Sequence, residues 1–409
     1  MSARLQEGGA GVPPAASGSR PVRRSRRVAL LAYGTRGDIQ PMLAVADELD
    51  KRGHSVAITV NRNLADWATG SGLEVIPTEP DVQAFLSSPG GQSMLADGRL
   101  TAFAAELARV EASVNQQIMA ASMRCCEGAD IILSTIVSSF RASAIAEATG
   151  IAHGVLLTMP FAPTAAYPQV LAPIRRLPSR ALNRWSHQLM LWLWWRSIGK
   201  TQPEVRALLG LPAVANRPTP ECIRQICLYS PLLSPRPADW RHDQLIAGST
   251  VLSDDLRARL GESGLSAELQ RWLDQGDAPI FFGFGSMPVA DPSALIEQVR
   301  CISRDLGRRA LIGAGWSHYR QEPSDQLCLA SHFDHDAALP RCRAAARRFT
   351  MAALGRPQRP FEPACPRWCS MSSPTRDSGA GACASWGWAT ASRSASSAPS
   401  GWRLRCAGS

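Results

Sequence analysis

The stretch VALLAYGTRGDIQPMLAVADELDKRG, residues 28–53, decides the fold. It opens on a short apolar run closed by Gly34, which reads as a buried strand. It closes on a segment that sets Met42, Leu43, Ala46 and Leu49 on one helical face. Strand, glycine turn and amphipathic helix in immediate succession begin a βαβ unit. SVAITV (55–60) and LEVIP (73–77) read as the next strands. ADIILST (129–135), a helix near Phe140–Ala148, and HGVLLT (153–158) continue the alternation. ICLYS (226–230) reads as the last strand of this half. The expectation is a parallel, doubly wound α/β sheet.

A proline-bearing linker, SPRPADWRHDQ (234–244), precedes a second α/β unit. APIFFGFGSM (278–287) is a strand ending in a glycine-rich turn. DPSALIEQVRCISRDLG (291–307) carries Leu295, Ile296, Val299, Ile302 and Leu306 at helical spacing. RRALIGAGW (308–316) and QLCLASHF (326–333) supply two more strands, and LPRCRAA (339–345) should open a further helix. The expected organisation is a basic leader (1–27), a first domain (28–235), a second unit (245–346) and a tail (347–409) of different character.

The formal charge of +10 invites a nucleic-acid or membrane reading, but its location argues against either. The leader carries +5 and the tail +7, which leaves the body at −2. The leader is poor in apolar residues, rich in Gly, Pro and Arg, and lacks the apolar core of a signal peptide. Body cysteines such as Cys125, Cys126, Cys222 and Cys227 show no paired metal-binding spacing. Reduced thiols and a cytoplasmic location are the expectation. The most apolar run, LMLWLWWRSIG (189–199), falls short of the roughly 20 residues that span a bilayer. Two readings remain for it: a tryptophan-rich interfacial helix with peripheral membrane contact, or a buried helix that walls a pocket.

GTRGDIQP, residues 34–41, sits where strand ends form the ligand crevice of such sheets. Gly34 and Gly37 allow close backbone approach, and a helix start presents free N–H groups to an anion. Asp38 has two readings. It is a general base, or it is an N-cap whose backbone hydrogen bonds lower its pKa and weaken it as a base. GFGS (283–286) is a turn of the kind that lets a backbone reach a phosphate, and an ordinary tight turn explains it as well. FDHD (333–336) sets Asp334 and Asp336 at a spacing that suits a hard divalent cation. The alternative, a loop near a nucleotide base with no metal, is the one adopted.

GTRGDIQP, AIAEATGIAHGVLLTMPFAPT (144–164), PIFFGFGSM (279–287) and FDHDAALPRC (333–342), in this order, resemble one family. It is the UDP-sugar glycosyltransferases that include sterol glucosyltransferases and bacterial natural-product glycosyltransferases. The resemblance covers about residues 28–346. It implies a GT-B type α/β fold of two facing Rossmann-like domains, the acceptor in the first and the donor nucleotide mainly in the second. It implies inverting, metal-independent hexosyl transfer from a nucleotide sugar to a hydroxyl of a lipid, sterol-like or natural-product aglycone. No separate cofactor is implied, and the donor is UDP-linked or TDP-linked. Asp38 matches the base. Arg36, Gly37, Gly285, Ser286 and Trp316 match donor-side positions.

The family's strongest donor motif, a His-Gly-Gly-Ala-Gly-Thr-type turn, should follow LPRCRAA, and it is absent. The 63 residues from Arg347 contain no Lys, Val, Ile, Asn, Tyr or His, yet hold four of the twelve Trp. Taking the last base of each codon with the first two of the next, this run can be read as A-V-H-H-G-G-A-G-T-T-A. Met351 before Ala352 forces a Gly, and Trp368 before Cys369 forces a Val. The tail therefore reads as the donor site in another frame, which leaves the second domain truncated and the chain as it stands inactive. The competing expectations are a non-catalytic acceptor-binding module and an unstable product.

Overall fold

The computed structural model describes residues 24–96, 100–171, 177–198, 201–213, 224–283, 285, 291–316, 324–330 and 333–342. The expectations for residues 1–23 and for the tail lie outside the described residues.

The chain begins as β1 (Arg27–Leu31), α1 (Arg36–Lys51), β2 (Ser55–Asn61), α2 (Arg62–Thr69) and β3 (Glu74–Thr78). Four helices follow: α3 (Val82–Ser87), α4 (Pro89–Ala96), α5 (Leu100–Ser113) and α6 (Asn115–Cys126). Then come β4 (Ile131–Ser134), α7 (Ser139–Thr149), β5 (Ala152–Leu157), α8 (Arg180–Ile198), α9 (Gln202–Leu208), β6 (Arg224–Cys227) and β7 (Leu245–Ile246). The second half holds α10 (Asp254–Arg259), α11 (Ala267–Asp274), β8 (Ile280–Gly283), α12 (Pro292–Asp305), β9 (Ala310–Gly313), β10 (Leu327–Ala330) and α13 (His335–Ala338).

The first sheet runs β3-β2-β1-β4-β5-β6-β7, and every pair in it is parallel. Val28 to Leu31 are at most 3% exposed because helices cover both faces. On one face Ile39, Met42, Leu43 and Ala46 of α1 pack on Leu30, Ile58 and Val60. On the other, Met119 and Cys125 of α6 and Ile145 of α7 pack on Ala29, Leu31 and Ile132. The sequence reading ended this sheet at ICLYS. The structure adds β7, whose Leu245 and Ile246 pair with Ile226 and Cys227. The first sheet therefore reaches beyond the 234–244 linker. A strand this short has no periodicity to read.

The second sheet, β10-β9-β8, is also parallel. Its central strand is buried between Ile296 and Val299 of α12 on one side and Leu269, Trp272 and Leu273 of α11 on the other. Of the five apolar positions expected on α12, Leu306 is 46% exposed because it caps the helix rather than lying within it. The helix expected at 339–345 is a 3₁₀ turn over Leu339–Arg341 after α13, and residues from 343 on lie outside the described residues. The chain is thus an α/β protein with two parallel sheets. The second sheet holds three strands among the described residues, against seven in the first.

Candidate active site

The carboxyl end of β1 is the topological switch point of the first sheet, since β2 flanks it on one side and β4 on the other. Polar side chains from both neighbours fix the chain that leaves it. Gly34 N donates to Asn61 Oδ1 at 2.8 Å, and Asn61 Nδ2 donates to the Pro80 carbonyl at 3.1 Å. From β2, Thr59 Oγ1 donates to the Ala32 carbonyl at 3.1 Å. After β4, Ser138 Oγ donates to the Leu31 carbonyl. The strand end is therefore held from two sides before the chain turns into α1.

The sequence reading set GTRGDIQP between strand and helix. In the structure α1 already begins at Arg36, with Thr35 in extended conformation as its N-cap. Asp38 is the third helical residue, not the cap. Its carboxylate reaches back to Thr35, accepting from the backbone N–H at 2.9 Å and from Oγ1 at 3.2 Å. Both bonds fall on Oδ2, and Oδ1 accepts none among the described residues. Burial pushes the Asp38 carboxyl above the ordinary carboxylate value, and the Thr35 bonds only partly offset that. Gly34 makes this arrangement possible. Its φ is +133°, and a Cβ there would lie 2.3 Å from Asp38 Oδ2. Pro41 sits inside α1, and with no N–H it gives the carbonyl of exposed Gly37 no helical hydrogen bond.

Arg36 turns away from this opening. Its guanidinium pairs with Glu262 and lies 4.8 Å from the Trp67 ring centroid. That contact ties α1 to the segment after α10. Leu252, Leu256 and Leu260 of that region pack on Ala44 and Trp67, and Arg259 pairs with Asp47 of α1. Arg257, two residues earlier, pairs with Asp334 at 3.1 Å, with both side chains 12% exposed. Asp334 also accepts the Ala337 N–H at 3.3 Å, so the first carboxylate of FDHD anchors α13 and binds Arg257. His335 stacks on Phe333 with ring centroids 4.5 Å apart and meets Phe281 edge-on. Among the described residues no group of three His, Cys, Asp or Glu could hold a metal ion.

The turns after β8 and β9 touch. Gly285 has φ +60° and Gly315 φ +55°, and a Cβ on Gly315 would lie 1.8 Å from the Gly285 carbonyl oxygen. Trp316 follows immediately and packs against the cluster of Tyr33, Val82 and Leu86. Gly285 and Gly315 thus meet at the end of the second sheet, and Trp316 beside them packs on the cluster that includes Tyr33, the residue before Gly34. Arg36 is not brought to this group, and Ser286 lies outside the described residues.

Sequence reasoning missed what lies behind Tyr33. Arg141 and Glu111 form an ion pair at 3.1 Å, with side chains 1% and 6% exposed, and Asn115 Oδ1 accepts from Arg141 at 3.4 Å. Burial, then the Glu111 charge, push the Tyr33 phenol well up. No local motif marks this pair, because its members are thirty positions apart on two helices. Asn61 was legible in principle, as the polar residue that ends an otherwise apolar strand.

Residues 28–168 match the Glycosyltransferase family 28 N-terminal domain. The chain is 29% identical over 339 residues to a sterol 3-beta-glucosyltransferase of Arabidopsis thaliana, with 78% of this chain aligned. It spans only about half of that enzyme, 50% of its length. It is 30% identical over 326 residues to an uncharacterized glycosyltransferase of Mycobacterium bovis, aligning 76% of this chain with 74% of that one. Among solved structures, the glycotransferase of kitacinnamycin superposes with a TM-score of 0.51 at 15% identity, over 78% of this chain and 74% of that one. The doubly wound sheet that holds Asp38 at its switch point and the identity shared across most of the mycobacterial protein lead to one assignment: the chain belongs to the glycosyltransferases of GT-B fold.

Proposed function

We propose that this lineage transfers a hexose from a nucleotide sugar, UDP-linked by preference, to a hydroxyl of a lipid, sterol-like or natural-product aglycone. Residues 28–235, with β7, serve as the acceptor half, and the segment that follows to 346 as the start of the donor half. Asp38 is the general base. It takes the proton of the acceptor hydroxyl as that oxygen attacks the anomeric carbon, the bond to the diphosphate breaks on the opposite face, and the configuration inverts. The observation that carries this reading is the state of Asp38. Its Oδ1 is free of hydrogen bonds among the described residues, and burial raises its proton affinity above that of an ordinary carboxylate. The cap reading required the opposite shift.

Negative charge grows on the leaving diphosphate, and backbone N–H groups at the start of α1 near Gly37 and in the turn at Gly285 are suited to it, with Ser286 assigned to the same set by the resemblance. Trp316 is assigned to the donor side. Arg36 joins that set only if its pair with Glu262 opens. The reaction as proposed uses no metal and no further cofactor, and the protein works in the cytoplasm. The relative from Arabidopsis acts on sterols by its name, which favours an apolar hydroxylated acceptor.

The chain as it stands lacks the in-frame donor turn, so we assign catalysis to the frame-restored form. Two other roles compete for the chain as it stands: an acceptor-binding module without turnover, and a product too unstable to act. The test incubates both forms with radiolabelled UDP-glucose and a panel of sterols and polyketide aglycones. The expected result is transfer by the restored form alone. Transfer at an ordinary rate by the chain as it stands would refute the assignment of the donor site to the other frame.

A further inference from the structure

Helix α8 is amphipathic in the wrong sense for a protein surrounded by water. The side turned to the protein carries Asn183 and His187, which are 7% and 1% exposed, and Trp194, which packs on the core of the first sheet. Asn183 Nδ2 donates to the Ala165 carbonyl at 3.0 Å, and His187 Nε2 meets the Tyr167 carbonyl at 3.1 Å, so these polar groups dock the helix. The outer side carries Leu182, Trp185, Leu189, Trp192 and Leu193, exposed by 36% to 59%. At roughly 100° per residue these five fall within an arc of about 100°, on the far side from His187. Isolated exposed apolar residues are ordinary. A continuous stripe with two tryptophans is a contact surface.

The charge on this helix identifies the occupant. Arg180, Arg184 and Arg196 are exposed, no acidic residue occurs between 180 and 198, and Arg196 lies 5.6 Å from the Trp192 ring. Tryptophan and leucine on one side, with Arg196 among them and no acidic residue on the helix, match the headgroup region of a bilayer, where indole rings sit at the interface and cations meet lipid phosphates. No helix among the described residues is long and apolar enough to cross a membrane, so α8 would lie in the membrane plane. We propose that the outer face of α8 docks the protein on an anionic lipid surface. This surface stands on the geometry of α8 and needs neither Asp38 nor a complete donor site.

The test is sedimentation of the full chain with vesicles of phosphatidylcholine alone and of phosphatidylcholine with phosphatidylserine, at low and physiological salt. Wild type is compared with Trp185→Ser/Trp192→Ser, and with Leu232→Ser, a 78% exposed position outside α8, as control. The leader and tail are basic in all three proteins, so the comparison isolates the stripe. The double variant should lose at least about tenfold in partitioning onto anionic vesicles while its melting temperature stays unchanged. Leu232→Ser should bind as wild type, and Arg196→Glu should weaken binding to the anionic vesicles only. Equal partitioning of wild type and the tryptophan variant would overturn the proposal. So would failure of wild type to bind vesicles, whether the stripe then proves to pair two copies of the chain or to hold a free sterol.

Discussion

At the scale of single residues, two partly buried titratable groups should leave opposite signatures in the pH dependence of stability. Asp38 holds its proton more tightly when folded. Its burial therefore favours folding as pH falls towards the ordinary carboxylate value of 3.8, and opposes folding once the group is charged. Asp38→Asn should unfold at higher denaturant than wild type at pH 7, and the difference should vanish in acid. A variant less stable at pH 7 would show that the carboxylate is held as a structural cap. His153 behaves the other way. Its Nε2 lies 2.8 Å from Ser134 Oγ and burial lowers its pKa to about 4. Protonation is easier in the unfolded chain, so stability should drop between about pH 6.5 and about 4, by at most about 3 kcal/mol. His153→Gln should flatten that slope in urea titrations. Gly34→Ala meets both an occupied site and φ +133°, and should destabilise by roughly 1–3 kcal/mol in the same assay.

At the scale of elements, the buried pair between α5 and α7 holds the wall behind Tyr33. Glu111→Ala leaves Arg141 charged and 1% exposed, and should cost about 3–5 kcal/mol by denaturant unfolding. A loss under about 1 kcal/mol would mean that the guanidinium finds water, contrary to the packing described. These elements also show what the sequence could disclose. The strands of the first sheet and the inner faces of α1 and α12 were legible because each repeats one residue class at a fixed period. Asp38 and its glycine were legible because strand, turn and helix are contiguous. The start of α1 was not, because Pro41 reads as a stop, whereas near a helix start it removes one hydrogen bond and the turn survives. The outward face of α8 was not either. Its run of Leu and Trp reads equally as a buried helix or as an interfacial one, and the choice needs the finding that Asn183 and His187 occupy the inward side.

At the scale of the whole molecule, the two sheets are joined by charges far apart in sequence. Arg36 reaches Glu262, Arg259 reaches Asp47, and Arg257 reaches Asp334. Arg36 was expected on the donor side from its motif. Nothing local announces a partner 226 positions away, and the structure places the side chain on that partner. The second sheet presents β8 with one neighbour among the described residues, whereas β1, its counterpart, has two. On the reading proposed here, the missing neighbour is encoded in the other frame of the tail. Restoring that frame should raise the unfolding midpoint of the second unit, measured by its own Trp272 signal, without changing that of the first. The most direct measurement is the turnover number for glucosyl transfer by the frame-restored chain, with Asp38 intact and as Asp38→Asn. Transfer with inversion is expected for the first and a loss of at least about 100-fold for the second, with KM nearly unchanged. A full rate from the Asp38→Asn chain would contradict it.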